Sequence, residues 1–180
     1  MSTPLNLGII ISSTREGRVG LSVAQWVKSE LTKRTDATLT IIDLKDYRLP
    51  LLGEAKPTHL ERFKADIAAQ DGFIFVTAEY NHSIPASLKN AIDYLREECH
   101  NKAAGIVSYG SAGGARAAEH LRAILGEIKI ADVRSHVLLS LFHDFEKFST
   151  FKPQEGIHDN NLNALTQEVT DWATALKTLR

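Results

Sequence analysis

Three stretches of this sequence gather hydroxyl, guanidinium, carboxamide and aromatic groups densely enough to do chemistry. The first is Ser12-Ser13-Thr14-Arg15-Glu16-Gly17-Arg18-Val19-Gly20. Hydroxyls of Ser12, Ser13 and Thr14, N–H groups at a helix start and the guanidinium groups of Arg15 and Arg18 can together satisfy the oxygens of a phosphate. A solvated loop using Ser and Thr only as helix caps has a similar composition. The second is Thr77-Ala78-Glu79-Tyr80-Asn81-His82-Ser83-Ile84-Pro85. A flat heteroaromatic ring fits there, with ring contact from Tyr80 and donors from Asn81 and the backbone. Taken singly, Glu79 also reads as a cap or ion-pair partner and His82 as a surface histidine. The third is Ser108-Tyr109-Gly110-Ser111-Ala112-Gly113-Gly114, whose three glycines let backbone approach a ligand closely.

These stretches become one site only if the fold brings them together. Continuous apolar runs at Leu5–Ile11, Leu39–Leu44, Gly72–Ala78, Ala103–Ser108 and Val133–Leu139 read as strands buried on both faces. Helical spacing fills the gaps, over Val19–Thr32, His59–Ala69, Pro85–Leu95, Ala112–Ile128 and Asn160–Leu179. Pro85 suits a first helical turn, with Ser83 as the candidate cap ahead of it. Alternating strands and helices imply a doubly wound parallel α/β sheet with helices on both faces. Five strands fit the flavodoxin-like order 2-1-3-4-5. Ligands of such sheets sit at the carboxyl ends of the strands, where all three stretches would lie.

Composition narrows the partners. The chain has 180 residues, enough for the single domain expected over 1–180. Its 21 Lys and Arg nearly balance 22 Asp and Glu, so no long-range field draws it to nucleic acid or an anionic membrane. Cys99 is the sole cysteine and has no disulfide partner within the chain; no Cys/His zinc spacing occurs. The expected compartment is the reducing cytoplasm. The first apolar run is far shorter than the ~20 residues that span a bilayer, follows no basic segment, and reads as a strand. Neither the G-x-G-x-x-G fingerprint nor the Walker pattern occurs, which argues against a Rossmann dehydrogenase or an NTPase and for a mononucleotide phosphate.

The motifs resemble those of the NADPH-dependent FMN reductase family, which includes quinone, azo-dye and chromate reductases. Ser12-Ser13-Thr14-Arg15 is similar to the family's G-S-x-R loop, with Ser12 in place of the usual glycine. Ala78-Glu79-Tyr80-Asn81, Ser83-Ile84-Pro85 and Leu88-Lys89-Asn90-Ala91-Ile92-Asp93 are similar to P-E-Y-N, S-x-P and L-K-N-A-x-D, with Ala78 in place of the usual proline. The resemblance implies a flavodoxin-like fold and FMN as cofactor. It places the phosphate on Ser13, Thr14, Arg15 and Arg18. It places the isoalloxazine against Glu79, Tyr80, Asn81 and His82 and the Tyr109-Gly110 region, and Ala78, Ser108 and Gly113 of the same loops complete the expected cofactor-binding residues.

The same resemblance implies that NADPH or NADH passes hydride to the flavin and that a quinone, flavin, azo compound or similar small molecule takes it on. Such a scheme requires no side-chain acid or base, so no catalytic residue is nominated; Glu168 and Asp171 read as solvated charges. It also implies a homodimer or homotetramer. The aromatics Phe142, Phe145, Phe148 and Phe151 read as core, or as cover for a subunit interface or a neighbouring flavin. The face Ile84, Leu88, Ile92 and Leu95 fits sheet packing or an interface equally. Two other readings compete: a flavodoxin-type electron carrier, disfavoured by the near-neutral charge, and a non-enzymatic flavodoxin-like regulator.

Overall fold

The structure, a computed structural model, describes residues 4–180; residues 1–3 of the expected 1–180 unit lie outside the described residues. Five parallel strands, β1 (Leu5–Ile11), β2 (Ala37–Asp43), β3 (Gly72–Ala78), β4 (Lys102–Gly110) and β5 (Ile130–Ser140), form a sheet in the order β2-β1-β3-β4-β5. The expected flavodoxin-like, doubly wound architecture is therefore present. The crossovers carry α1 (Gly20–Glu30), α2 (Leu60–Ala68), α3 (Ala86–Asp93) and α4 (Ala115–Glu127), and α5 (Asp159–Leu176) closes the chain before a short 3-10 turn.

Strand alternation sorts the core into two layers. Leu7, Ile9 and Ile11 of β1 and Ile74 and Val76 of β3 pack with Val23 and Val27 of α1 and Leu165 and Val169 of α5. Ile10, Phe73, Phe75 and Ile106 face the other way, onto Phe63 of α2, Leu88 and Ile92 of α3, and Leu121 of α4. The face Ile84, Leu88, Ile92 and Leu95 is buried in this second layer. Gly105 lets α5 lie against β4, because a Cβ there would stand 2.5 Å from Leu165 Cδ2.

Three tertiary braces, at Lys102, Arg122 and Glu168, tie the sheet to its helices. Lys102 Nζ donates to the carbonyls of Ile67 (2.8 Å) and Ala68 (2.9 Å), satisfying the end of α2. The edge strand β5 slips register against β4 between Asp132 and His136, a bulge that interrupts their ladder. Arg122 of α4 grips the bulge through Asp132 and the Val133 carbonyl. Glu168 of α5 accepts from Ser135 N–H (2.8 Å) and Oγ–H (2.6 Å), and those bonds hold its carboxyl below the usual range. Glu168 is thus a brace, not the solvated charge its sequence context suggested.

Two further expectations need correction. Helix α3 begins at Ala86 with Pro85 ahead of it and no side-chain cap; Ser83 instead closes a tight turn and pairs with His120. The aromatic stripe is split by a turn and the short hairpin β6 (Phe145–Glu146) and β7 (Thr150–Phe151), which sends its members to opposite sides. Phe145 is buried and packs on Phe151 and Tyr109, whereas Phe142 and Phe148 are about 60% exposed and stack edge to face at 5.5 Å. No described helix is long and apolar enough to cross a membrane. Among the described residues no group of three or more His, Cys, Asp or Glu could hold a metal.

Candidate functional site

The loop after β1 leaves the sheet at Ser12, whose N–H donates to the Val76 carbonyl of β3 (3.1 Å). From Ser13 to Arg18 none of the backbone N–H groups donates to an acceptor among the described residues. Six consecutive N–H groups at the mouth of α1 are thus available to an anion, as helix starts of this kind are. Ser12 Oγ is buried without a partner. Such an orphan is explained by a ligand or water at the site. Both observations fit a phosphate.

The two arginines of this loop do different things. Arg15 is exposed and its Nε–H donates to the Tyr80 hydroxyl (2.8 Å). Arg18 is held by a bidentate pair with Asp43, at 2.6 and 2.5 Å, and donates to the Ser13 carbonyl at 2.7 Å. Both side chains of that pair are 11% exposed. Arg18, expected at the phosphate, is here occupied in bracing the loop against the end of β2. Asp43 also accepts from Lys45 N–H (3.0 Å), capping the 3-10 turn Leu44–Tyr47. Beside the loop a cleft of about 230 Å³ is lined by Thr14, Lys45, Arg48, Ser87 and Asn90.

The loop after β3 contains the tight turn Tyr80–Ser83, closed by Tyr80 N–H to the Ser83 carbonyl (2.9 Å) and Ser83 N–H to the Tyr80 carbonyl (3.1 Å). The Tyr80 hydroxyl is 2.7 Å from Ser13 Oγ, which joins this loop to the first one. Asn81 and His82 are exposed at the tip, and their N–H groups meet no acceptor among the described residues. Glu79 N–H donates to the Tyr109 carbonyl at 2.9 Å, which joins the second loop to the third. The Glu79 carboxylate, 5% exposed, is paired with Arg116.

In the third loop Ser108 and Tyr109 are buried, and burial pushes the Tyr109 phenol up. Ser108 Oγ donates to the Gly113 carbonyl at 2.8 Å, tightening the bend. Gly114 has φ of 77°, and a Cβ there would come within 2.8 Å of Tyr109 N, so only glycine fits. Gly110 sits against Glu79 Cβ, and Ser111 and Ala112 are exposed with free N–H groups among the described residues.

The fold therefore brings all three sequence stretches to one sheet edge. Thr14, Arg15, Tyr80, Asn81 and His82 are open along it, Ser13 and Gly110 lie there but are buried, and Ala78, Ser108, Tyr109 and Gly113 are buried beneath and shape it. Sequence reasoning missed Asp43 and Arg116. The order 2-1-3 puts an acid at the end of β2 beside the first loop, a signal available for Asp43. A cation in the first turn of a helix, against the dipole, is the corresponding signal for Arg116. What the site can do chemically is hold a phosphate at one end and a flat ring with hydrogen-bonding edges at the other.

The family model described as NADPH-dependent FMN reductase matches residues 5–144. The chain is 33% identical over 189 residues to the NAD(P)H-dependent FMN reductase ntnL of Nectria sp, covering 95% of this chain and 89% of that one. It is 34% identical over 183 residues to a quinone reductase of Escherichia coli, covering 97% and 89%. Among solved structures it is similar to FerB, a flavoenzyme NAD(P)H:(acceptor) oxidoreductase from Paracoccus denitrificans, with a TM-score of 0.75 at 19% identity over 95% of this chain and 98% of that one.

Proposed function

The chain belongs to the NADPH-dependent FMN reductase family, and on that premise we propose that it carries FMN across the three loops and reduces a small acceptor with NADPH or NADH. The observation that carries this reading is the run of six free N–H donors from Ser13 to Arg18, joined through Ser13 and Tyr80 to a turn with free donors of its own. The 1–180 chain acts as one FMN-binding domain.

Arg15 and the loop N–H groups take the phosphate, with Ser13 and Thr14 hydroxyls as further donors. Arg18 and Asp43 keep that loop in shape before binding, so little ordering is left to be done when the ligand arrives. The turn at Asn81 and His82 and the bend at Gly110 to Ala112 supply N–H donors to the ring's polar edge. Bound FMN supplies the redox chemistry, accepting a hydride from the nicotinamide and releasing electrons to the acceptor. The residues bind, orient and shield, and no side-chain acid or base is called for.

The acceptor is a quinone, free flavin, azo compound or similar small molecule. The protein works in the cytoplasm as a homodimer or homotetramer, with the exposed Phe142, Phe148, Leu51 and Leu52 as candidate contacts. The test is steady-state turnover: FMN-loaded protein should oxidise NADPH or NADH when a benzoquinone is added. Absence of turnover with any of the acceptor classes would contradict the proposal.

A further inference from the structure

We propose that helix α4 clamps the ring-binding turn, with Arg116 and His120 as positioning residues for the flavin; this rests on the FMN reading above. The turn is strained. Asn81 and His82 have φ of 48° and 70°, two consecutive non-glycine residues in left-handed backbone, and the reciprocal bonds between Tyr80 and Ser83 give it type I′ geometry. Asparagine is at home at the first of these positions, but glycine is preferred at the second. Non-glycine residues persist in such conformations where the surroundings over-determine them.

Besides the Tyr80 hydroxyl, which bonds to Ser13 and Arg15, the surroundings here are one face of one helix. Arg116 and His120 are four residues apart, so they project from the same side of α4 on successive turns. Arg116 holds the residue before the turn: its N–H donates to Glu79 Oε2 at 3.2 Å, its Nε–H donates to Oε1 at 2.6 Å, and its Nη2 pairs with Oε1 as well. His120 holds the residue that ends the turn, with Nδ1 3.0 Å from Ser83 Oγ. Both ends of the strained segment are gripped while its tip stays exposed.

The clamp also serves α4. Gly114 precedes the helix and offers no side-chain cap, so the Glu79 carboxylate satisfies an N–H of its first turn from another loop. Because Glu79 N–H also donates to the Tyr109 carbonyl, one residue fastens the second loop to both the strand and the helix of the next unit. Glu79 thus acts by fastening the loop, its carboxylate engaged by Arg116 and the first turn of α4 and not turned to the ring.

Two readouts test this on the purified full chain: amide hydrogen exchange at residues 79–83 without FMN, and FMN affinity by fluorescence quenching. Arg116→Met should speed exchange in the turn about tenfold and weaken FMN binding about fivefold. His82→Gly supplies the preferred Asn-Gly turn, so adding it to Arg116→Met should restore most of the exchange protection and affinity. Arg116→Lys, which keeps the charge and loses the fork, should fall between. Should Arg116→Met not fold, His120→Ala tests the other grip and should loosen Ser83. Exchange within twofold of wild type in these variants, or a loss that His82→Gly leaves untouched, would overturn the clamp. Wild-type protein that shows no FMN binding would contradict the function instead, while the exchange data would still decide the clamp.

Discussion

The hydroxyl of Tyr80 stands 2.7 Å from Ser13 Oγ and accepts from Arg15 Nε–H, so the ring-binding loop and the phosphate loop share one hydrogen-bond chain across 67 residues of sequence. A ligand that fills one loop therefore meets a partner loop already in register. Tyr80→Phe removes the link and keeps the ring. It should weaken FMN binding a few-fold, on the order of the 0.5–1.5 kcal/mol of a neutral hydrogen bond, whereas Cys99→Ser should leave affinity unchanged. Equal effects in a flavin titration would contradict the link.

Among the described residues Arg15 bonds only to the neutral oxygens of Tyr80 and Glu16, so once Arg18 is engaged by Asp43 it is the arginine of the loop whose charge is open to the phosphate. Arg15→Ala should weaken FMN binding about tenfold while leaving affinity for riboflavin, which lacks the phosphate, nearly unchanged. Parallel titrations of the two flavins check this, and equal losses for both would place Arg15 elsewhere.

Arg18 should behave as part of the fold. Arg18→Ala leaves the Asp43 carboxylate, 11% exposed, without its cation, a loss of about 3 kcal/mol in stability. The double variant Arg18→Met/Asp43→Leu should recover most of it, because no charge is then stranded. Urea unfolding of the three proteins measures both quantities. A fully stable Arg18→Ala would show that the pair contributes nothing.

These two arginines mark what could and could not be read from the sequence. Strands β1 and β3 are legible to the residue, since β3 is buried along its whole length and β1 everywhere but at Asn6, and both are mostly apolar. Strand β2 begins earlier than its apolar run because Ala37 and Thr38 pair with Leu5 and Asn6, a contact that composition does not encode. The site loops are legible because the residues that line them are contiguous. The braces are not: Asp43 lies 25 residues from Arg18, and Glu79 lies 37 from Arg116. Their roles follow from strand order and helix placement, which set which distant charges meet.

Burial of Lys102 gives a pH dependence of stability. Its ammonium is pushed down to about 8 in the fold, from 10.5, mainly by loss of water. Between those values the unfolded chain binds more protons, so stability rises with pH, by at most about 1.4 kcal/mol per unit. Cys99 opposes this above pH 9, since its thiol ionises in the unfolded chain but stays protonated in the fold up to about 11. The clean window is pH 8 to 9. Denaturant midpoints should rise there in the wild type and stay flat in Lys102→Met; identical profiles would refute the assignment.

The buried Cys99 thiol should also resist alkylation at pH 8, where it is both protonated and out of reach of solvent. Iodoacetamide should label it only as fast as the chain opens. Mass spectrometry showing the same rate in native and urea-unfolded protein would contradict this.

The most direct test of the central claim is an anaerobic absorbance titration of the FMN-loaded protein with NADPH and then NADH. The visible flavin band should bleach on addition of at least one nucleotide and return when a quinone is added. A bound flavin that neither nucleotide bleaches would mean that the protein carries electrons without taking them from a nicotinamide. Failure to bind FMN at all would contradict the account at its root.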